Sequence, residues 1–342
     1  MKKSFCVLAL SVFCALMMGI VSLWAQEETE VVIVATQHFI TDMPQGYTPA
    51  HLRALLKKIL PDLLAVEAPD NVADGWKYAP LDLWQVTKPW ADEYGVKIVY
   101  AGFYEPMYQA QLSEMFADFQ KKGVFGEYEQ MENKFQVQSA REVSTCEFMN
   151  SPQAFKLWRD YHTQLHGFYG KDTPWEIWNE KIAENILSLC RQNRGKRMAV
   201  VFGGAHCYYI KDRLSGQKDV RIIPISYFFP LTDAEVEKET CPLDYLKALR
   251  LLNFNIGTVT PEQLKRLKGF LDKIRDVPEL NNDYHLFYGK YLLHMGRAQE
   301  ALVEFQKVAS LSPDVVSLFD GQSCLREAGL QYINIAKNQL GR

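Results

Sequence analysis

The sequence lacks most of the short motifs that identify an enzyme class directly. It contains no HExxH, no GxSxG, no P-loop and no GxGxxG, which argues against zincin peptidases, α/β-hydrolases and nucleotide-dependent enzymes. It has no CxxC pair, and its cysteines are spaced too widely for a structural zinc site. It also has no basic tract, and its formal net charge of −3 makes it a poor candidate for binding nucleic acid.

The first 25 residues have the layout of a secretory signal peptide. Lys2 and Lys3 precede an apolar run over 6–23, and Ala25 offers a cleavage site just before acidic residues. This layout predicts an exported protein, periplasmic or extracellular. The alternative is an uncleaved membrane anchor, because a run of this length is just able to span a bilayer. Five of the seven cysteines follow Ala25, so at least one thiol stays unpaired in an oxidising compartment.

Short apolar runs rich in β-branched residues alternate with helical patterns along residues 26–230. The alternation predicts an α/β domain with a mixed, mostly parallel sheet flanked by helices. A helical insertion at about 104–170, rich in Met, Phe and Gln, is expected to cover the site. Another helix is predicted over 80–94. The predicted strands are 31–38, 63–67, 96–101, 198–202 and 220–226, and Pro224 indicates that the last lies at a sheet edge.

The chain from 231 to 342 shows only helical patterns. At about 282–342 a set of small, aromatic and proline residues keeps the spacing of a tetratricopeptide repeat, in which small residues let two helices pack closely. This spacing predicts an all-α helical-repeat tail that binds a protein partner or packs on the preceding domain; an ordinary helical hairpin is the alternative. The residues that carry the spacing are Gly289, Gly296, Ala301, Phe305 and Pro313.

Histidines follow two of the predicted strands, and a glutamate ends a third. The run VVIVATQH ends at His38, MAVVFGGAH ends at His206, and LLAVE ends at Glu67. Because the carboxyl ends of parallel strands meet at one edge of a sheet, we expect these three side chains to converge. Two imidazoles and a carboxylate are a common ligand set for a catalytic divalent metal ion. Without metal they can serve as a general acid and base, and the simplest alternative is that each is bonded only to backbone.

Four other residues are weaker candidates. Asn179 lies at the edge of the apolar face of a predicted helix, so its amide needs partners near the interior. His162 and His166 share a helix face, which fits either a metal site or an ordinary amphipathic helix. Cys207 is either a reactive thiol or a small buried filler.

At these residues the sequence resembles the TraB, Tiki and erythromycin-esterase-like superfamily. That family has two GxxH motifs on related strands, a glutamate that ends the second strand, and an Arg-Asn pair on the helix before the second GxxH. The resemblance covers roughly residues 31–228 and leaves the helical tail outside. Here the corresponding segments are Ala35-Thr36-Gln37-His38, Glu67 in AVEAPD, Trp178-Asn179 and Gly203-Gly204-Ala205-His206.

The resemblance implies a metal-dependent hydrolase that acts on a peptide or small-molecule substrate. His38, Glu67 and His206 would then be metal ligands or acid and base groups, and Asn179 would orient the substrate or a ligand. The chain departs from the family at Ala35, which replaces a glycine, and at Trp178, which replaces the arginine. The missing arginine weakens the expectation of anion or carboxylate binding.

Two other functions remain open at this point. Some members of the superfamily bind haem, so the same cleft is a candidate site for haem or iron, with Tyr208 or Tyr209 as ligands. A protein of this organisation is alternatively a non-enzymatic scaffold that acts through its helical repeats.

Overall fold

The structure, a computed structural model, describes residues 28–36, 38, 46–69, 80, 82–103, 108–142, 145–169, 174–249, 252, 259–318 and 323–341. The predicted signal segment lies outside these residues. Among the described residues, no helix is both long enough and apolar enough to cross a bilayer. The chain divides into two compact units, unit 1 with Met1–His38 and Leu55–Leu231 and unit 2 with Phe39–Ala54 and Thr232–Arg342.

Unit 1 is built on a five-stranded sheet in the order β3-β2-β4-β1-β5. Every pairing in this sheet is parallel, so the prediction of an α/β fold with a mostly parallel sheet flanked by helices is confirmed. β5 lies at an edge, as Pro224 indicated, and ends two residues before that proline. The strands are β1 (Thr29–Thr36), β2 (Leu63–Pro69), β3 (Lys97–Gly102), β4 (Arg197–Gly203) and β5 (Val220–Ile222).

The register of the sheet brings three strand ends to one edge. β1 and β4 pair from Glu30 opposite Arg197 to Thr36 opposite Gly203. β2 lies on the other side of β4, with Val66 opposite Val201. The strands β1, β2 and β4 are almost fully buried, as expected where helices cover both faces of a parallel sheet. Residues that follow β1, end β2 and follow β4 therefore lie side by side.

Helices connect these strands and fill the segment predicted as a helical insertion. They are α1 (Pro49–Ile59), α2 (Lys88–Tyr94), α3 (Tyr108–Lys122), α4 (Phe125–Glu142), α5 (Cys146–Met149), α6 (Pro152–Tyr169), α7 (Pro174–Gln192) and α8 (Gly204–Leu214). One difference from the prediction matters for the site. The predicted helix over 80–94 is a π-helix (Leu83–Thr87) that continues into α2, and the apolar pattern does not distinguish a single π-turn from an α-helix.

From Thr232 onward, the described residues of unit 2 form only helices besides short turns and one isolated β-bridge. They are α9 (Asp233–Lys238), α10 (Pro242–Ala248), α11 (Pro261–Ile274), α12 (Asn281–His294), α13 (Ala298–Ala309) and α14 (Leu325–Gln339). Gly289 lies where a Cβ would meet the ring of buried Phe305, so a small residue is required between α12 and α13. The tetratricopeptide-like assignment itself stays a prediction.

Candidate active site

The sheet edge in unit 1 positions the three predicted site residues. His38 follows β1 by two residues and has a φ of 55°. Glu67 lies within β2, and His206 lies in the first turn of α8, directly after β4. The structure thus brings His38, Glu67 and His206 together, although they are far apart in the sequence.

The carboxylate of Glu67 lies between the two imidazoles. Its Oε2 is 3.4 Å from His38 Nε2, and its Oε1 is 3.4 Å from His206 Nε2. The backbone N–H of Gly203 donates to Oε2 at 2.7 Å. The side chains of His38 and Glu67 are 19% and 13% exposed, whereas that of His206 is 3% exposed. Solvent therefore reaches the His38 side of the cluster.

Gly203 allows the His38 ring to lie this close to the Glu67 carboxylate. A Cβ at this position would overlap the His38 ring and lie 3.3 Å from Glu67 Oε2. Any side chain here would push the imidazole away from the carboxylate. The first glycine of the intact GxxH motif is thus required by the packing of His38, the histidine of the other motif.

Asp82 is a member of the cluster that the sequence analysis missed. Its Oδ1 is 3.2 Å from His38 Nδ1, and the Thr36 hydroxyl donates to its Oδ2. Its side chain is 4% exposed. In the sequence an aspartate near a predicted helix start is indistinguishable from an ordinary capping residue, so no local signal could have identified it.

Asn179 holds His206 from the opposite side. Its Oδ1 accepts from His206 Nδ1 at 2.6 Å, and its residue is fully buried on α7. Its Nδ2 has no hydrogen-bond partner among the described residues. The Trp175 ring stacks on the His206 imidazole with centroids 4.5 Å apart, and the Trp178 ring lies 5.5 Å away. At the position where the resemblance expects an arginine, this chain therefore has an aromatic ring beside the second histidine.

The electrostatics of the cluster favour a positive His38 next to a negative Glu67. Burial lowers the pKa of His38, but the charge of Glu67, followed by the hydrogen bond and charge of Asp82, raises it to about 9. Burial raises the pKa of Glu67, but the charges of His38 and His206, with hydrogen bonds from His206 and Gly203, lower it to about 2. At neutral pH the site thus holds an imidazolium against a carboxylate.

A metal ion requires ligands that surround a common point. In the part of the chain that the structure describes, no group of three His, Cys, Asp or Glu side chains has such a placement. The carboxylate of Glu67 separates the two Nε2 atoms and offers a different oxygen to each. The residues as placed do not form a preassembled ligand set, so metal binding by His38, Glu67 and His206 stays a prediction.

The two helical histidines have protein partners of their own. His162 Nδ1 is 2.9 Å from the Tyr208 hydroxyl, and His166 Nε2 is 2.9 Å from Glu176 Oε1. Burial, with the nearby His206 and His166, lowers the pKa of His162 to about 3. These contacts favour the structural interpretation of both histidines.

The three residues after His206 also have protein partners, and Cys207 and Tyr208 are buried. The Tyr208 hydroxyl contacts His162, and the Tyr209 hydroxyl donates to Glu180 at 2.7 Å. Burial raises the pKa of both phenols, which opposes the phenolate form that an iron ligand needs. Cys207 is fully buried, and burial raises the pKa of its thiol well above its usual range. Haem binding stays a prediction without an observation in its favour, and Cys207 fits the role of a small buried filler.

Comparisons of the chain with family models, with curated proteins and with solved structures gave no match. The fold and the cluster at its sheet edge therefore define only a class, an α/β protein with a histidine–carboxylate site. The assignment to the TraB, Tiki and erythromycin-esterase-like superfamily stays a prediction.

Proposed function

We propose that the protein is a hydrolase that uses His38 and Glu67 as a paired general acid and base. The observation that supports this proposal is the placement of one carboxylate between two imidazoles at the carboxyl edge of a parallel sheet, where such folds bind ligands. His38 and Glu67 are the partly exposed members, so a substrate and a water molecule reach them first.

Such a reaction returns His38 and Glu67 to their starting protonation states. Glu67 accepts a proton from the attacking water, whose oxygen bonds to the acyl carbon of the substrate. His38 donates its Nε2 proton to the leaving group as the acyl bond breaks. The proton on Glu67 then passes to His38 across their 3.4 Å contact, which restores the resting site. Water is the only other reactant.

The proton transfer from water to Glu67 and the proton transfer from His38 to the leaving group assist each other. The charge on His38 is a main cause of the low pKa of Glu67, and the charge on Glu67 raises the pKa of His38. As His38 loses its proton, Glu67 becomes a better proton acceptor, so acid and base act in concert. His206 and Asn179 are assigned a supporting role, because the buried His206 fixes Glu67 from the side away from solvent.

The substrate class and location rest on the sequence. The resemblance to the TraB, Tiki and erythromycin-esterase-like superfamily favours a peptide or ester bond, and the N-terminal segment favours export to the periplasm or beyond. A protein partner bound through the helical tail is part of the same proposal.

Hydrolysis of p-nitrophenyl acetate and of a fluorogenic peptide mixture tests the proposal. We expect His38→Asn and Glu67→Gln each to lower kcat by about 10² to 10⁴, the usual contribution of a positioned acid or base. The matched control is His285→Asn, which removes an imidazole paired with Glu304 at 2.6 Å in unit 2, and it should leave the rate unchanged.

Any of three results would contradict the acid–base proposal. The first is a wild-type rate no higher than the uncatalysed rate on every probe, and the second is variants as fast as wild type. The third is activity that EDTA abolishes and Zn²⁺ or Mn²⁺ restores, which would instead support the metal-dependent version that the resemblance implies.

A further inference from the structure

Three uncommon features of unit 1 meet at the His38 ring. The backbone of His38 has a φ of 55°, a region that residues other than glycine rarely adopt. The segment beside it is a π-helix (Leu83–Thr87), a form found mostly as single turns at functional sites. Asp82, which directly precedes that turn, is almost fully buried. Each feature costs stability, and such costs are typical of functional sites. We therefore look for one function that the three features share.

The carboxylate of Asp82 has one partner for each of its oxygens. One carboxylate oxygen accepts from the Thr36 hydroxyl, and the other faces His38 Nδ1 at 3.2 Å. A buried carboxylate is stable only when hydrogen bonds or charges compensate its lost hydration. Because Asp82 accepts only, its contact with His38 requires a proton on Nδ1.

A side-chain hydrogen bond also holds the π-turn that follows Asp82. The Thr87 hydroxyl donates to the Asp82 carbonyl at 3.2 Å, across the whole π-turn. Thr36, at the end of β1, contacts both Asp82 and His38. The strand end and the π-turn therefore hold the carboxylate in one place relative to the ring.

We infer that Asp82 is a positioning residue that keeps a proton on His38 Nδ1 and directs His38 Nε2 at Glu67. The catalytic part of this inference rests on the proposed function, but the geometric part does not. It holds equally for an acid–base site and for a metal site, since metal-binding histidines also donate their second ring N–H to a carboxylate or carbonyl. Asp82 touches no reacting atom and acts through His38.

Asp82→Asn is the sharpest test because the amide keeps the size of the side chain. An amide can turn its NH₂ group toward Nδ1, which opposes a proton on Nδ1 and so disfavours the imidazolium from which Nε2 donates. In the serine protease triad this change lowers kcat by about 10⁴ with the geometry intact. Here we expect a loss of about 10² or more on any probe that the wild-type protein hydrolyses, with KM changed less than kcat.

A spectroscopic readout separates this inference from the proposed function. In protein labelled with ¹⁵N-histidine, the Nδ1 proton of His38 should give a downfield, slowly exchanging signal, assigned by its loss in His38→Asn. The signal should persist in Glu67→Gln and vanish in Asp82→Asn. Asp92→Asn is the matched control, because Asp92 belongs to α2 but pairs with exposed Lys88, and it should keep the signal.

Persistence of the signal in a folded Asp82→Asn protein would overturn the inference, as would its absence from wild type. Asp82→Glu adds a check on folding, since it keeps the charge and should restore part of the signal. If no probe is hydrolysed, the proposed function fails while the signal still decides the role of Asp82.

Discussion

Residue 203 controls how closely His38 approaches Glu67. The missing side chain of Gly203 leaves room for the His38 ring, and its N–H binds Glu67 directly. Its φ of −54° lies in a region open to all residues, so the need for glycine comes from the close approach rather than from backbone conformation. One methyl group is thus enough to separate the imidazole from the carboxylate.

Gly203→Ala should therefore impair the site more than the fold. We expect a loss of about 1–3 kcal/mol in the free energy of unfolding, typical of overpacking a buried site, and loss of hydrolysis comparable to His38→Asn. Urea unfolding and the ester assay measure the two effects. Gly167→Ala is the control, since Gly167 is exposed on α6 with nothing near its Cβ position, and it should be neutral or slightly stabilising. A fully active Gly203→Ala protein would refute this account of the glycine.

At the scale of elements, the C-terminal end of β1 is hydrogen-bonded on one side by a side chain rather than by a neighbouring strand. β5 pairs with β1 only from Thr29 to Val31. Further along, the Asn150 side chain accepts from the Ala35 N–H at 2.7 Å and donates to the Ala35 carbonyl at 3.4 Å. This amide satisfies the backbone groups of β1 just before the site, at the position where the family resemblance expects glycine.

The helices of unit 2 show how small residues set element packing. The Cβ position of Gly329 on α14 lies 2.7 Å from the backbone nitrogen of Ala309, which ends α13. The backbone of Ala309 cannot move aside for a new methyl group as a flexible side chain can. The close approach of α13 and α14 therefore depends on this glycine.

Gly329→Ala should force these two helices apart. We expect the free energy of unfolding of unit 2 to fall by about 1–3 kcal/mol. The matched control is Gly269→Ala on α11, where nothing lies near the Cβ position; it should gain up to about 1 kcal/mol, because alanine is the better helix former. Thermal or urea unfolding monitored by circular dichroism compares the two. Equal stability of the two variants would show that the close approach is not required.

At the scale of the whole molecule, the sequence predicted what depends on periodicity. The run VVIVAT and its counterparts fixed the strands, and the parallel arrangement then implied that His38, Glu67 and His206 share one edge. The register bears out this convergence. The edge position of β5 also followed from a single proline.

What escaped prediction depends on contacts between distant segments. Asp82 and Asn150 act through side-chain hydrogen bonds to residues 44 and 115 positions away, and neither belongs to a recognisable motif. The apolar pattern predicts an ordinary helix where the structure has the π-turn that directly follows Asp82. Such contacts are selected by the assembled fold, so one sequence without its structure does not reveal them.

The central claim is that His38 and Glu67 form one coupled ion pair at the sheet edge. Its most direct test is the titration of His38 by NMR in the wild-type protein and in Glu67→Gln. The account predicts a pKa of about 9 in wild type, because the charges of Glu67 and Asp82 outweigh the burial that lowers it, and a clearly lower pKa in Glu67→Gln. Since the pKa of His38 is raised above 6.5 and that of Glu67 is lowered from 4.5 to about 2, the stability from the pair should be complete between about pH 4.5 and 6.5. It should be lost as the pH rises through 9 and as the pH falls through 2.

The control for this titration is Glu176→Gln, which removes the partner of His166 and should leave His38 unchanged. A His38 pKa near 6.5 in wild type, or the same value with and without the Glu67 carboxylate, would contradict the account.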